Sequence, residues 1–269
     1  MRLGPIEFVT PAMVEGPKIM FFVPVPEVFQ NAPFVMATDV GYGLPVTSVI
    51  TTTWFIMLVI FLLFKFGTKK LSIVPGKLQT ALEGYYLFID SLVGQMLGKW
   101  KVNYIGYIGT LFIFIFSSNI LSFIPIPAVA YNEGVFEIYP AFKSPTGDLN
   151  TTAGLALLTT VTFLMTSLKL NGIVGHIKGM FQPMPIMFPI NVIGELAKPT
   201  NISVRLFGNL FAGSIILGLM YKAAPLLVPI PLHCYFDLFG GTVQTFVFTM
   251  LSLVYIQGSL GDHEYVEEN

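Results

Sequence analysis

Five long stretches of this chain are almost entirely apolar, and each is long enough to cross a bilayer. Three of them, residues 46–64, 104–131 and 149–168, carry no charged side chain. A helix rises 1.5 Å per residue, so about 20 residues cover the roughly 30 Å of hydrocarbon. Backbone groups in lipid must be bonded within the segment, and such stretches therefore predict transmembrane helices. The sequence predicts a polytopic, all-α membrane protein.

The last two apolar stretches are longer than one crossing requires. They cover residues 186–221 and 226–257 and contain only a few polar side chains. As one helix, the first of them would be roughly 50 Å long. A helix longer than the hydrocarbon is thick accommodates by tilting or kinking. We therefore expect a pair of long, steeply tilted membrane helices at the end of the chain.

Residues 74–100 have a different pattern, in which charged residues interrupt apolar ones after Pro75 and Gly76. This pattern predicts an amphipathic helix at the membrane interface. The positive-inside rule places lysine-rich connections in the cytoplasm, so the N-terminus is expected outside and the C-terminus inside. The lysines on which this orientation rests are Lys65, Lys69, Lys70, Lys77, Lys99, Lys101, Lys169 and Lys178.

The composition supports a membrane protein and excludes several other classes. Of 269 residues, 54% are hydrophobic and 11% are charged, and the mean hydropathy is +0.74. The net charge of −1, without a basic patch, argues against a nucleic-acid partner. The sequence has no phosphate-binding or catalytic motif and only one cysteine, so we expect no catalytic residue, metal site or cofactor. We expect one membrane domain at 44–262, after an extracytoplasmic leader at 1–43 and before a short cytoplasmic tail at 263–269.

The most informative single residue is Arg205, near the middle of the first long stretch. It has no carboxylate within four residues on either side. A charge at this depth costs several kcal/mol, so an intramembrane arginine indicates a functional site. With 3.6 residues per turn, Lys198, Ile202, Arg205, Asn209 and Ala212 fall along one face of the helix. That face is predicted to carry the polar groups.

The second long stretch has a comparable stripe, formed by Asp237, Gly240, Gly241 and Gln244. Small residues such as Gly208 and Gly213 on the first helix would let the two helices approach closely. Two structural interpretations remain open at this point. The polar groups could simply bond one another inside a helix bundle, or Arg205 could extend its charged end to a lipid headgroup.

Several sequence blocks resemble one family, subunit a of the membrane sector of bacterial F-type ATP synthases. The most specific are "KPTNISVRLFGNLFAG" and "VQTFVFTMLSLVYI". Weaker matches are "VPGKLQTALEGYY", "IGTLFIFIFSSNILSFIP" and "PTGDLNTTAGLAL". Together they cover nearly everything after about residue 44. The resemblance implies two inclined helices facing a rotating ring of c subunits, whose carboxylates bind the transported ion.

The resemblance also implies roles for individual residues. Arg205 is similar to the essential stator arginine, and Asn209 and Gln244 to polar residues that line the ion path beside it. Glu195 and Lys198 resemble charged residues near the inner access channel. Asp237 stands where many bacterial relatives have histidine, and Ser214 where they often have glutamate, so the outer channel departs from the usual pattern.

The implied partners are the c-ring, the b subunits of the peripheral stalk, the lipid bilayer and a transported H⁺ or Na⁺. The implied location is the bacterial inner membrane, and the implied subunit is not catalytic by itself. Two other functions remain open from the residues alone. A secondary transporter or stand-alone channel could use Arg205 to bind an anion, and a purely structural scaffold would tolerate its replacement. The sequence does not decide between H⁺ and Na⁺.

Overall fold

Five helices of the computed structural model are long and apolar enough to span a membrane, counting only the part of the chain that it describes. The prediction of a polytopic helical membrane protein is confirmed. The described residues are 6–8, 19–24, 36–38, 41–69, 71–123, 127–132, 135–140, 144–181, 184–223 and 229–260. The predicted tail at 263–269 and most of the predicted leader at 1–43 lie outside these ranges.

The first half of the chain supplies three helices. They are α1 (Ser48–Gly67), α2 (Lys77–Leu97) and α3 (Lys101–Phe123). Threonine hydroxyls in the first turns of α1 donate back to carbonyls of their own helix, for example Thr52 Oγ1 to Ser48 O at 2.8 Å. Gly98, with φ at +55°, separates α2 from α3. The predicted amphipathic segment is therefore a helix, although its position at the interface stays a prediction.

The second half contains the longest helices. They are α4 (Leu149–Met180), α5 (Phe188–Ala223), α6 (Pro229–His233) and α7 (Gly241–Leu260). The Asp148 side chain caps α4 by accepting from the backbone N–H of Asn150 at 3.0 Å. A π-helix, Cys234–Gly240, joins α6 to α7. The two long apolar stretches thus form two long helical rods, and their tilt in a membrane remains a prediction.

The end of one predicted span is confirmed and that of another was wrong. The stretch 104–131 was expected to be broken near its end by Pro125 and Pro127, and α3 ends at Phe123 before a strand that begins at Pro127. Proline at 125 and 127 cannot continue the helical hydrogen bonding, which accounts for the early end. The third span was expected to end at residue 168 with His176 and Lys178 in a loop. Both instead lie on α4, which continues past a kink at Gly172.

Short strands accompany the helices and were not foreseen. They are β1 (Ile6–Phe8), β2 (Ile19–Pro24), β3 (Met36–Thr38), β4 (Gly41–Thr47), β5 (Pro127–Asn132) and β6 (Val135–Pro140). They form two three-stranded sheets, with strand orders β1-β6-β5 and β2-β4-β3. Strand β1 pairs parallel to β6, whereas the other pairs are antiparallel. The first sheet therefore joins the start of the chain to the connection between α3 and α4.

The apolar core lies around α3 and α7. One cluster joins side chains of α2, α3, α4 and α7, and includes Ile89, Phe163 and Leu253. A second cluster brings α5 into contact with α3, α4 and α7 through Ile202 and Leu206, which are almost fully buried. Helix α5 is therefore packed on one side, whereas Ile193, Leu196 and Val204 remain more than half exposed.

Helices α3 and α7 approach so closely at Gly241 that a larger residue should not fit. A Cβ added there would lie 2.8 Å from Asn119 Cβ. Gly241→Ala should lower the free energy of unfolding by about 1–3 kcal/mol, the usual cost of overpacking. Gly258→Ala on the same helix is the control, because no atom lies within 4 Å of its added Cβ. Denaturant unfolding in micelles checks this, and equal stability of the two variants would contradict the close approach.

Candidate functional site

Arg205 lies on α5 with its side chain exposed. Within the described part of the chain its guanidinium has neither a hydrogen bond nor an ion pair. It closes one end of an open groove of about 610 Å³, otherwise lined by apolar side chains and two small polar ones. The other lining residues are Ile193, Leu196, Ala197, Thr200, Asn201 and Val204. The structure therefore presents an unpaired positive charge on an apolar, outward-facing surface.

The stripe beyond Arg205 meets the second helical rod, as the glycine pattern predicted. A Cβ added at Gly213 would lie 3.3 Å from three carbon atoms of Phe236. One turn nearer Arg205, a Cβ added at Gly240 would lie 3.5 Å from Asn209 Nδ2. Gly208, by contrast, has no atom of the described chain within 4 Å of an added Cβ. Asn209 is thus brought to the helix that carries Asp237 and Gln244, whereas Gly208 faces away from it.

Asp237 is buried in the π-helix, where the extra residue per turn widens the backbone. Its Oδ2 lies 2.6 Å from Nδ1 of His233, one turn earlier. The His233 side chain is about one-third exposed and that of Asp237 is 11% exposed. The partly exposed His233 is therefore bonded to the buried carboxylate of Asp237. The sequence analysis did not single out His233, because no second histidine stands near it in the sequence.

Gln244 is buried on α7, two turns after Asp237. Its Nε2 has no hydrogen-bond partner among the described residues. A buried amide donor without a partner costs about 1–3 kcal/mol. An acceptor from water or from another chain is therefore needed at this position.

Asn119 is a buried polar residue of α3 that the sequence analysis did not single out. Its Nδ2 donates to Gly241 O at 2.9 Å and to Thr245 Oγ1 at 3.1 Å. Its Oδ1 accepts from Thr146 Oγ1 at 2.8 Å. This network ties α3, α7 and the turn before α4 together just beside Gln244. An amide in the uncharged run "FSSNIL" was the available signal.

Glu195 and Lys198 form their own pair on α5. Lys198 Nζ donates to Glu195 Oε2 at 2.9 Å. The same ammonium lies 4.7 Å from the centre of the Phe163 ring and 5.7 Å from that of Tyr255. Lys198 is therefore neutralised and held by aromatic rings, at a distance of about 10 Å along the helix from Arg205.

Ser214 is exposed, and its hydroxyl donates to Phe211 O of its own helix at 2.8 Å. The structure does not bond it to Asp237 among the described residues. No group of three or more His, Cys, Asp or Glu side chains in the described ranges could hold a metal ion.

Comparison with known proteins identifies what this arrangement resembles. The family model described as ATP synthase A chain matches residues 50–257. "ATP synthase subunit a, sodium ion specific" of Propionigenium modestum is 58% identical over 267 residues, which cover 99% of this chain and 92% of that protein. "ATP synthase subunit a" of Moorella thermoacetica is 36% identical over 220 residues, covering 82% and 94%.

The Asn119 network should be sensitive to the loss of one hydroxyl. Thr146→Val removes the donor to Asn119 Oδ1 and leaves a buried acceptor unpaired. We expect the free energy of unfolding to fall by about 1–3 kcal/mol. Thr110→Val is the matched control, since Thr110 is exposed and bonds only carbonyls of its own helix. Thermal unfolding in micelles measures both, and a Thr146→Val protein as stable as the control would contradict this role.

Proposed function

This chain belongs to the ATP synthase A chain family, and we propose that Arg205 is the fixed charge by which it couples ion flow to rotation of a c-ring. As a member of that family it is an ion-translocating stator subunit in the membrane, and it is not catalytic by itself. The observation that carries the proposal is the unpaired guanidinium at the end of an apolar groove.

The physical reason for the arginine lies in the carboxylates of the ring. A carboxylate facing lipid must be neutral or bound to its ion, because an isolated anion in hydrocarbon is prohibitively costly. Near a fixed cation, its charged form becomes favourable. Arginine holds its charge at any working pH and does not donate its own proton. Arg205 therefore attracts the arriving carboxylate and drives its ion into the exit path.

The surface around Arg205 suits a moving partner. The groove beside it is lined mainly by aliphatic side chains such as Ile193 and Val204, which are more than half exposed. Such a surface packs against helices without holding them by directional bonds. Among the described residues, the guanidinium also has no carboxylate partner to release before it meets one from the ring. Attraction can then form and break at each step of rotation.

We assign the remaining polar residues to two offset access paths. Asp237, Gln244 and Asn209, with Ser214 nearby on α5, line the outer path. Glu195 and Lys198 lie near the inner path. The positive charge of Arg205 stands between the two paths and repels a cation that would cross directly. Ions must then travel on the ring, where moving one charge across 100 mV is worth about 2.3 kcal/mol.

The proposed surroundings follow from the same role. The partners are the c-ring, the b subunits of the peripheral stalk and the bilayer, in the bacterial inner membrane. The lysine distribution supports an N-terminus outside and a C-terminus in the cytoplasm. An anion transporter would be expected to use a broken helix at its site, but α5 runs from Phe188 to Ala223 as one helix.

We further propose that sodium is the coupling ion. The relative from Propionigenium modestum is described as sodium ion specific, and its identity to this chain extends over almost the whole sequence. The outer path offers a buried carboxylate at Asp237 and amide groups at Asn209 and Gln244. Carboxylate and amide oxygens are suitable hard ligands for a partly dehydrated cation.

Replacing Arg205 tests its role as the stator charge. Arg205→Ala and Arg205→Lys should lower ion-driven ATP synthesis about a hundredfold or more, the scale on which losing one preorganised charge slows a reaction. Lysine should fail because it lacks the planar guanidinium and can lose its proton. Synthesis is measured in membrane vesicles that carry the assembled complex.

Lys65→Ala is the control for that experiment, because Lys65 is an exposed cation at the end of α1. It should leave synthesis close to the unsubstituted rate. Normal coupled synthesis by Arg205→Ala would rule out the proposed role. Tolerance of Arg205→Leu would instead support a purely structural scaffold.

The coupling ion is tested separately in reconstituted vesicles. With a protonophore present, an imposed sodium gradient together with a membrane potential should still drive ATP synthesis. The protonophore brings protons to equilibrium with the membrane potential and so abolishes the proton-motive force, which leaves sodium as the ion that can drive synthesis. Collapse of synthesis under these conditions would identify protons as the ion and would leave the role of Arg205 untouched.

A further inference from the structure

Helix α4 does not end where its transmembrane part ends. Residues 149–171 alone extend about 34 Å at 1.5 Å per residue, which already covers the hydrocarbon thickness. The helix then turns at Gly172, whose φ is +67° and ψ is 171°. This backbone conformation is essentially restricted to glycine. Residues 173–181, here called the α4 extension, therefore begin at the level of the membrane interface.

The α4 extension has one apolar face. Its exposed side chains Ile173, Val174, Ile177 and Phe181 are accessible over 69%, 79%, 48% and 40% of their surfaces. With 100° per residue they share one side of the helix, whereas Gly179 lies on the opposite side. Phe181 stacks on one side against Phe188 of α5, whereas Ile173, Val174 and Ile177 remain largely uncovered within the described part of the chain. An apolar face of this size on the surface requires a partner or a membrane.

The charges beside this face point to anionic lipid. Lys169 and Lys178 flank it, and both are exposed and without an ion-pair partner in the described chain. The sequence contains no acidic residue between Asp148 and Glu195. Basic residues beside an apolar helical face favour the boundary between headgroups and acyl chains. A basic protein partner would need acidic residues on this segment, and the segment has none.

The extension is fixed to both neighbouring helices. His176 Nδ1 lies 2.8 Å from Ser167 Oγ on the transmembrane part of α4. On the other side, Asn191 Nδ2 of α5 donates to Met180 O at 2.8 Å. The rings of Phe181 and Phe188 stack with their centres 4.3 Å apart. The depth of the extension thus sets the depth at which α5 begins.

We propose that the α4 extension is an interfacial lipid anchor. Ile173, Val174, Ile177 and Phe181 insert among acyl chains, and Lys169 and Lys178 bind the anionic phosphates of the headgroups. Through its contacts with the start of α5, the anchor fixes the height of that helix in the bilayer. It therefore fixes the height of every residue on α5, including Arg205.

A fluorescent label reports the environment of the extension in the assembled complex. Cys234→Ser removes the exposed native thiol, and Val174→Cys then carries an environment-sensitive nitrobenzoxadiazole label. In vesicles of phosphatidylcholine and phosphatidylglycerol we expect blue-shifted emission that acyl-chain nitroxides quench and aqueous iodide does not. A label at Gly179→Cys on the opposite face should show the reverse. Quenching of the 174 label by iodide, or shielding from both quenchers by another protein chain, would overturn the anchor.

Two further comparisons test separately the contribution of the turn at Gly172 and that of the lysine charges. Gly172→Ala should move the 174 label into water, because alanine cannot adopt the turn, whereas Gly179→Ala should not, since nothing lies near its added Cβ. Replacing phosphatidylglycerol by phosphatidylcholine, or introducing Lys178→Gln, should weaken quenching of the 174 label by acyl-chain nitroxides, a readout that surface charge does not change. Unchanged quenching in both arms would overturn the assignment to anionic headgroups, and an unmoved label in Gly172→Ala would overturn the role of the turn.

Discussion

Hydrocarbon offers no water to polar groups, and this constraint organises the whole structure. The inner face of α7 meets it with hydroxyls that bond carbonyls one turn earlier, at Thr245, Thr249 and Ser252. The Asn119 amide satisfies the same requirement by donating hydrogen bonds to α7. Because these polar side chains are small, the helices that they line can pack closely. The polar interior is therefore a means of helix association.

Against this background the exceptions identify the working surface. Among the described residues, the Arg205 guanidinium and the Gln244 amide lack partners in their own chain. Both lie on the two helical rods that meet at Asn209 and Gly240. A subunit that left such groups unpaired for no reason would lose stability. The unpaired donors mark places where water or another subunit can supply an acceptor.

The sequence predicted the helices well because span length and hydrophobicity are local properties. Glycine spacing predicted a close approach of a second helix to α5, which holds at Gly213 beside Phe236 but not at Gly208. The Asn119 to Gly241 bond joins residues 122 positions apart, and no local pattern encodes it. The π-helix around Asp237 was equally hidden, since one added residue per turn leaves the hydrophobicity unchanged. The long-range hydrogen bonds and the π-helical backbone are therefore the features that could not be predicted from the sequence.

Lys198 and Arg205, two of the three basic residues of α5, differ in their surroundings. Lys198 is paired with Glu195 and lies over two aromatic rings, so its charge is largely compensated. Arg205 has no such compensation in the described chain. In the mechanism proposed above, a ring carboxylate passing these two residues therefore meets one strong attraction instead of two. A second uncompensated cation about 10 Å away would attract the same carboxylate beyond Arg205 and oppose its release. The Lys198–Glu195 pair is what removes this second attraction from the proposed mechanism.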